Sequence, residues 1–156
     1  MLVAVHVAHR HQGAVLELEA GHFMCPRAHA AGGGLRGDLL AELFLEQGHE
    51  IFTASGGKEG IEMFRNFVPD LVITDLGMPE VSGWEVASTV KSIKASTQVI
   101  LMTGWGITLD SEQARQKGVD VVVCKPFQIN EIQKVASHSL RCAFDRYYCR
   151  LRDLTI

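Results

Sequence analysis

Three side chains that could take part in chemistry stand at the ends of three apolar runs. Asp75 ends the run Leu71 to Thr74, Thr103 ends a second run, and Lys125 with Pro126 closes a third. In open parallel sheets, ligands bind outside the carboxyl ends of the strands. A carboxylate, a hydroxyl and an ammonium placed there could share one small anionic substrate. The pattern favours phosphoryl transfer to Asp75, although an acid at a strand end is also a common helix cap.

The elements that must position these side chains are predicted from hydrophobic periodicity. From residue 38 onward the chain alternates between the two periods, and the predicted order is helix 39–45, strand 50–54, helix 58–66, strand 71–74, helix 83–93, strand 98–102, helix 109–117, strand 119–124 and a last helix from about 129. Such βα repetition predicts a parallel sheet with helices on both faces.

Length and composition narrow the class of protein. The 156 residues fit one domain, and the net charge of -3 counts against nucleic acid as the main partner. The cysteines have no paired spacing, which indicates reduced thiols, and they are Cys25, Cys124, Cys142 and Cys149. The apolar stretches are shorter than the roughly 20 residues of a membrane span, and Leu2 to Val7 lacks the flanks of a signal peptide. We therefore expect a cytoplasmic protein with no nucleic-acid and no membrane partner.

A family resemblance rests on three motifs and their spacing. The chain resembles the receiver domain of two-component response regulators over roughly residues 38 to 137, through Asp75 to Pro79 with Gly83, Thr103 with Gly104, and Lys125 to Phe127. Asp75 precedes Thr103 by 28 residues, and Thr103 precedes Lys125 by 22. The resemblance implies an α/β, flavodoxin-like fold: a doubly wound, five-stranded parallel sheet in the order 2-1-3-4-5.

The resemblance also implies a function. A histidine kinase or phosphotransfer protein would donate a phosphoryl group to Asp75, which forms an acyl phosphate. Lys125 would pair with the phosphoryl oxygens and Thr103 would hydrogen-bond one of them. Pro79, Gly83 and Pro126, whose peptide bond is usually cis in this family, would shape the site. The domain would catalyse its own phosphorylation and dephosphorylation, unlike a conventional enzyme, and would signal to a downstream protein target.

The expected magnesium site departs from the family pattern. Receivers hold Mg²⁺ with two adjacent acids at the end of the first strand, with the phospho-acceptor and with a backbone carbonyl. In this chain the phospho-acceptor would be Asp75 and the carbonyl would be that of Gly77. The usual family spacing, counted back from Leu39 and Leu40 in the first helix, places the acid pair at Ala31 and Gly32. Neither residue offers a side-chain ligand. The acidic pair is thus absent, and Mg²⁺ binding is expected to be weakened or lost. Glu17 and Glu19 could substitute only through a long loop.

Residues 1–34 form an atypical N-terminal segment. They contain five of the seven histidines, no lysine and the run Ala30 to Gly34. Leu2 to Val7 and Ala14 to Leu18 are the candidates for strand 1, and either leaves a long connection to the first helix. The segment is either a divergent extension of a degenerate receiver or the product of a reading-frame error. The spacings of His6, His9 and His11 and of His22, Cys25 and His29 could also be read as a zinc site, but they lack the paired ligands of a structural zinc finger.

The rest of the chain divides into a receiver at 35–137 and an extension of the last helix at 138–156. An apolar stripe continues through Ala143, Tyr147 and Leu151, which favours either a homodimer through this helix or an interdomain linker helix. Val122 stands where many receivers carry a signalling aromatic residue, and Trp105 could report on the site or merely cover it. The alternative function is a degenerate pseudo-receiver that binds a partner without phosphorylation. A flavodoxin-like nucleotide binder is disfavoured because no phosphate loop follows a strand.

Overall fold

The computed structural model describes residues 2–6, 35–47, 49–104 and 110–152. Its elements in chain order are β1 (Leu2–His6), α1 (Leu35–Glu46), β2 (Glu50–Ala54), α2 (Gly57–Phe67), β3 (Leu71–Asp75), α3 (Gly83–Ile93), β4 (Gln98–Thr103), α4 (Ser111–Gln116), β5 (Val121–Cys124) and α5 (Ile129–Arg152). No helix among these residues is both long enough and apolar enough to cross a membrane.

The described strands form one sheet in the order β2-β1-β3-β4-β5. β3, β4 and β5 are parallel, whereas β1 is antiparallel to both of its neighbours. β2 therefore runs in the same direction as β3. The expectation of a sheet that is parallel throughout is wrong for β1. A short crossover fixes the direction of the next parallel strand, but residues 7–34 separate β1 from α1 and remove that constraint.

β3 and β4 form the centre of the core. Residues 71–74 and 98–103 are all buried, as expected for strands covered by helices on both faces. One face, with Val72 and Leu101, packs with residues of α2 and α3. The other face, with Ile73 and Ile100, packs against residues of α1 and α5. This two-sided covering is what the βα repetition predicts.

α3 has local signals that fix its start beside the sheet. The Ser82 side chain accepts from the backbone N–H of Glu85, and the Glu85 carboxylate accepts from the backbone N–H of Ser82, which together make a capping box. The helix then buries Val86, Ala87 and Val90. α3 therefore begins immediately after the loop that follows Asp75, and it matches the predicted span 83–93.

The α4–β5 region differs from the prediction at its boundaries. β5 begins at Val121, not at 119, because Asp120 turns its carboxylate to the sheet and accepts the backbone N–H of Val99 at 2.8 Å. α4 spans only Ser111–Gln116, and its first turn is capped by Asp110, which accepts the Glu112 N–H at 3.0 Å. The predicted start of α4 at residue 109 lies outside the described residues.

Candidate functional site

The carboxyl ends of β3, β4 and β5 meet at one edge of the sheet. In the strand register Asp75 lies opposite Met102, and Thr103 lies opposite Cys124. Two backbone hydrogen bonds of 2.7 Å continue the pairing into the loops: Leu76 N–H donates to Met102 O and Lys125 N–H donates to Thr103 O. The structure therefore brings Asp75, Thr103 and Lys125 to the same edge.

Asp75 and Lys125 are in direct contact. The Lys125 Nζ donates to Asp75 Oδ1 and forms an ion pair with it. The Asp75 side chain is 19% exposed and the Lys125 side chain is 40% exposed, so solvent and a reactant can approach the pair. The ammonium compensates the carboxylate charge now and would face additional negative charge on a phosphorylated Asp75. The Lys125-Pro126 peptide bond is cis, as the resemblance implies.

Thr103 carries a buried hydroxyl that no described residue satisfies. The residue is only 1% exposed, and its Oγ1 has no hydrogen-bond partner within the described part of the chain. Leaving a buried polar group unpaired costs about 1–3 kcal/mol. Buried Thr74, one position before Asp75, differs because its hydroxyl donates to the Asp75 carbonyl at 3.2 Å. Thr103 is therefore the one of these two threonines whose hydroxyl has capacity for an incoming ligand oxygen.

Gly83 lets α3 approach the end of β3. A Cβ at this position would lie 2.4 Å from the Asp75 carbonyl oxygen and 2.6 Å from Leu101 Cδ1. Its N–H donates to the Leu76 carbonyl at 3.0 Å. The sequence predicts Gly83 and Pro79 as loop-shaping residues, but it does not predict this contact with the backbone of Asp75. The pattern from Ser82 to Glu85 is a further sequence signal for the start of α3, because it is typical of a capping box.

The described residues supply only part of the oxygen donors that the magnesium ion implied by the resemblance would use. Antiparallel β1 places Leu2 opposite Thr74, and its carboxyl end, His6, lies opposite Glu50 at the other edge of the sheet. Magnesium demands six oxygen ligands in near-octahedral geometry. Asp75 and the Gly77 carbonyl are the two predicted ligands within the described residues, where no group of three or more His, Cys, Asp or Glu could hold a metal.

Other predicted residues fall partly outside the described chain. Glu17, Glu19, the Ala31–Gly32 positions, Trp105 and the histidine-rich spacings lie outside it, so the expectations about them stay predictions. Val122 is partly buried and packs against the core cluster on the α2 and α3 face. Cys124 is a free and exposed thiol. Cys25 is outside the described residues, as are the side chains of Cys142 and Cys149.

Comparisons with known proteins identify the family of the chain. A family model for the response regulator receiver domain matches residues 36–137. The chain is 32% identical over 103 residues to chemotaxis protein CheY of Halobacterium salinarum, covering 66% of this chain and 86% of that protein. A crystal structure of a response regulator receiver domain protein from Clostridium thermocellum superposes with a TM-score of 0.60 at 28% identity, covering 71% of this chain and 86% of that one.

A longer relative is matched over only part of its length. The chain is 30% identical over 103 residues to regulatory protein AtoC of Escherichia coli, which covers 66% of this chain but 22% of AtoC. The family model begins at residue 36, after the atypical N-terminal segment. Because that model matches more than half of the sequence, the chain belongs to the response regulator receiver domain family.

Proposed function

We propose that this chain accepts a phosphoryl group on Asp75 from a histidine kinase or phosphotransfer protein and signals to a downstream protein target by conformational change. The observation that supports this most is that three groups meet at one edge of the sheet. They are the Asp75 carboxylate, the Lys125 ammonium paired with it, and the Thr103 hydroxyl, which has no partner among the described residues. The proposal assigns the receiver to residues 35–137, flanked by 1–34 and 138–156, and places it in the cytoplasm.

The proposed transfer uses few protein groups. A carboxylate oxygen of Asp75 attacks the phosphorus of a phosphohistidine, the phosphorus–nitrogen bond breaks, and its electron pair stays on the imidazole of the donor. The protein contributes mainly position and charge. The Lys125 ammonium, already beside Asp75 Oδ1, then pairs with the phosphoryl oxygens. Charge neutralisation is stronger in this partly buried site than in water.

Thr103 supplies the proposed signal. Its buried hydroxyl donates to a phosphoryl oxygen and so gains the partner that it lacks among the described residues. This bond draws the end of β4 toward Asp75 and shifts the surface around β4, β5 and α5. Val122, not an aromatic residue, stands on neighbouring β5, so the shift must pass through aliphatic packing.

Mass spectrometry after incubation with acetyl phosphate or a phosphorylated histidine kinase tests the acceptor. We expect one phosphoryl group on the wild-type chain and none on Asp75→Asn. Glu80→Gln is the matched control, because Glu80 is an exposed acid of the same loop and should leave the label unchanged. Label that persists in Asp75→Asn contradicts the assignment.

A pseudo-receiver that binds its partner without phosphorylation is the second candidate. The observation that favours it is the direction of β1, whose carboxyl end adds no acid beside Asp75 and the Gly77 carbonyl. The same experiment separates the two functions, since a pseudo-receiver stays unlabelled in millimolar magnesium while its partner still binds. In that case the Asp75 and Lys125 ion pair would be a fixed structural feature of the binding surface.

The proposed homodimer uses the last helix. α5 continues to Arg152, and its sequence keeps an apolar stripe through Ala143, Tyr147 and Leu151. An apolar stripe favours burial against another helix, and a second copy of α5 supplies a matching one. Sedimentation of the full chain tests this, with Leu151→Glu expected to give a monomer and Arg141→Glu, an exposed change on the same helix, expected to keep the dimer.

A further inference from the structure

A polar groove lies at the opposite end of the sheet from Asp75. It has a volume of about 570 Å³ and lies between α3 and the turn that joins α4 to β5. α3 contributes Ser88, Lys91 and Ser92 from its second half, which is remote from its start at Asp75. The turn contributes residues 115–120, directly before β5. Asp75, Thr103 and Lys125 are not among the residues that line the groove.

The charges that line the groove are unbalanced. Asp120 is its one lining carboxylate, and this group is already occupied: its Oδ2 accepts Lys91 Nζ at 2.6 Å and Val99 N–H at 2.8 Å. Lys91 also donates to the Thr97 carbonyl at 2.7 Å. Arg115 and Lys117 have no carboxylate partner within the described residues. Among the described residues these two cations therefore lack a carboxylate partner, although the net charge of the chain is -3.

The position of Lys117 is constrained by packing. Lys117 Nζ lies 4.8 Å from the centroid of the ring of Trp84, in the first turn of α3, and this cation–π contact holds the ammonium along that helix. Gly118 follows with a φ of +85°, and a Cβ there would lie 2.8 Å from Lys91 Cγ. The turn therefore packs directly on α3, and its backbone holds Lys117 close to the Lys91–Asp120 ion pair.

We propose that this groove binds an acidic segment of a partner protein through Arg115 and Lys117. Guanidinium groups bind carboxylates in a bidentate manner, and an ammonium adds a second point of charge, so neighbouring acidic side chains of one peptide can engage both. The volume is larger than a single small anion needs and falls in the range of pockets for larger ligands. The local positive charge would steer such a segment to this face of an otherwise acidic protein.

Binding here is independent of the proposed phosphorylation. The groove lies at the amino ends of β4 and β5, whereas Asp75 and Lys125 lie at the carboxyl ends. A partner could therefore dock through its acidic segment before, during and after phosphoryl transfer. Because both cations are exposed, we expect modest affinity that weakens strongly with salt.

Fluorescence anisotropy with a labelled peptide tests the proposal on the full chain. The probe carries a run of glutamates, and the reference peptide carries glutamines at the same positions. We expect binding of the glutamate peptide at about 10 mM salt, weakening at about 150 mM, where the screening length is shorter. Asp75→Asn should bind as the wild type does, so failure of the phosphoryl proposal would not affect this result.

A matched pair of charge variants decides whether the groove is responsible. Arg115→Gln with Lys117→Gln should weaken binding about tenfold or more, which is about 1.4 kcal/mol. Lys58→Gln with Lys134→Gln removes the same charge from exposed positions outside the groove and should have little effect. Equal weakening by both pairs, no binding of the glutamate peptide, or competition by inorganic phosphate as effective as by unlabelled peptide would each overturn the proposal.

A spectroscopic readout shows whether the peptide reaches Lys117. The emission of Trp84 should change when the glutamate peptide draws the ammonium from the ring, and the Trp84→Phe variant should lose this change. Circular dichroism of each variant shows that it is folded before its binding is compared. An emission change that persists in Trp84→Phe would show that the peptide binds outside the groove, which would contradict the proposal.

Discussion

The two halves of the sheet present different residues at the same edge. In the half formed by β3, β4 and β5 the strands are parallel, so Asp75, Thr103 and Lys125 collect at their carboxyl ends. In the other half β1 runs against its neighbours, so Leu2 lies beside Thr74 and the end of the strand lies far from Asp75. A strand therefore brings its last residue to the site only when it runs parallel to β3, even if its position in the sheet is adjacent to β3.

The same contrast explains what the sequence could predict. Asp75, Thr103 and Lys125 could be placed because each follows an apolar run and because connections through one helix keep successive strands parallel. The spans 50–54 and 83–93 were predicted as β2 and α3 have them. Leu2 to Val7 was a correct candidate for a strand, but its direction was not predictable, since residues 7–34 impose no crossover geometry.

Other features of the site depend on contacts between distant residues. The approach of Gly83 to the Asp75 carbonyl appears only when α3 is packed on the sheet. The bond from Val99 N–H to Asp120 shortens β5 at its start, although the apolar pattern extends the strand to Val119. Periodicity reports which face a residue occupies, but it does not report which backbone group meets a given carboxylate.

The largest expected effect concerns the half with the parallel strands. Gly83→Ala would place a Cβ 2.4 Å from the Asp75 carbonyl oxygen, so either α3 or the end of β3 must move. Overpacking of this kind costs about 1–3 kcal/mol in the free energy of unfolding. Urea denaturation measures it. Gly77→Ala is the matched control, since a Cβ at Gly77 meets nothing within 4 Å, and equal effects at both positions would show that the close approach is not important.

The second effect concerns the half with β1. Replacing residues 1–34 with an apolar strand that ends in two aspartates should strengthen magnesium binding about tenfold or more, because it adds two oxygen ligands to Asp75 and Gly77. Calorimetric titration measures the affinity, and the same replacement ending in two asparagines is the control. If the unmodified chain binds magnesium as tightly, Glu17, Glu19 or other N-terminal groups reach the site and the contrast between the halves disappears.

A third effect distinguishes two threonines on neighbouring strands. Thr103→Val removes a buried hydroxyl without a partner in the described chain and should raise the free energy of unfolding by about 1 kcal/mol while slowing phosphorylation. Thr74→Val removes a hydroxyl that donates to the Asp75 carbonyl, so this variant should have a lower free energy of unfolding. Urea denaturation with phosphorylation rates checks both. A loss of stability in Thr103→Val would show that its hydroxyl already has a partner.

The smallest expected effect reports on the β2 side of the sheet. Burial lowers the pKa of His49, which precedes β2 and whose ring centroid lies 6.2 Å from that of Phe44. Because the folded pKa is lower than the ordinary value of 6.5, the unfolded chain binds more protons between the two pKa values. The stability contributed by neutral His49 is therefore fully present above pH 6.5 and is lost as the pH falls through that value toward the folded pKa.

Urea denaturation at pH 5 and at pH 7.5 of the wild type and of His49→Asn isolates this contribution. The wild type should lose more stability on acidification than the variant, because the variant has no imidazole to protonate at this position. Since β1 pairs with β2 from Leu2 opposite Ala54 to His6 opposite Glu50, the loss should loosen that pairing before it affects β3 and β4. Hydrogen exchange at pH 5 should therefore quicken in β2 first. Identical pH dependence in both chains, or exchange that quickens equally across the sheet, would contradict this.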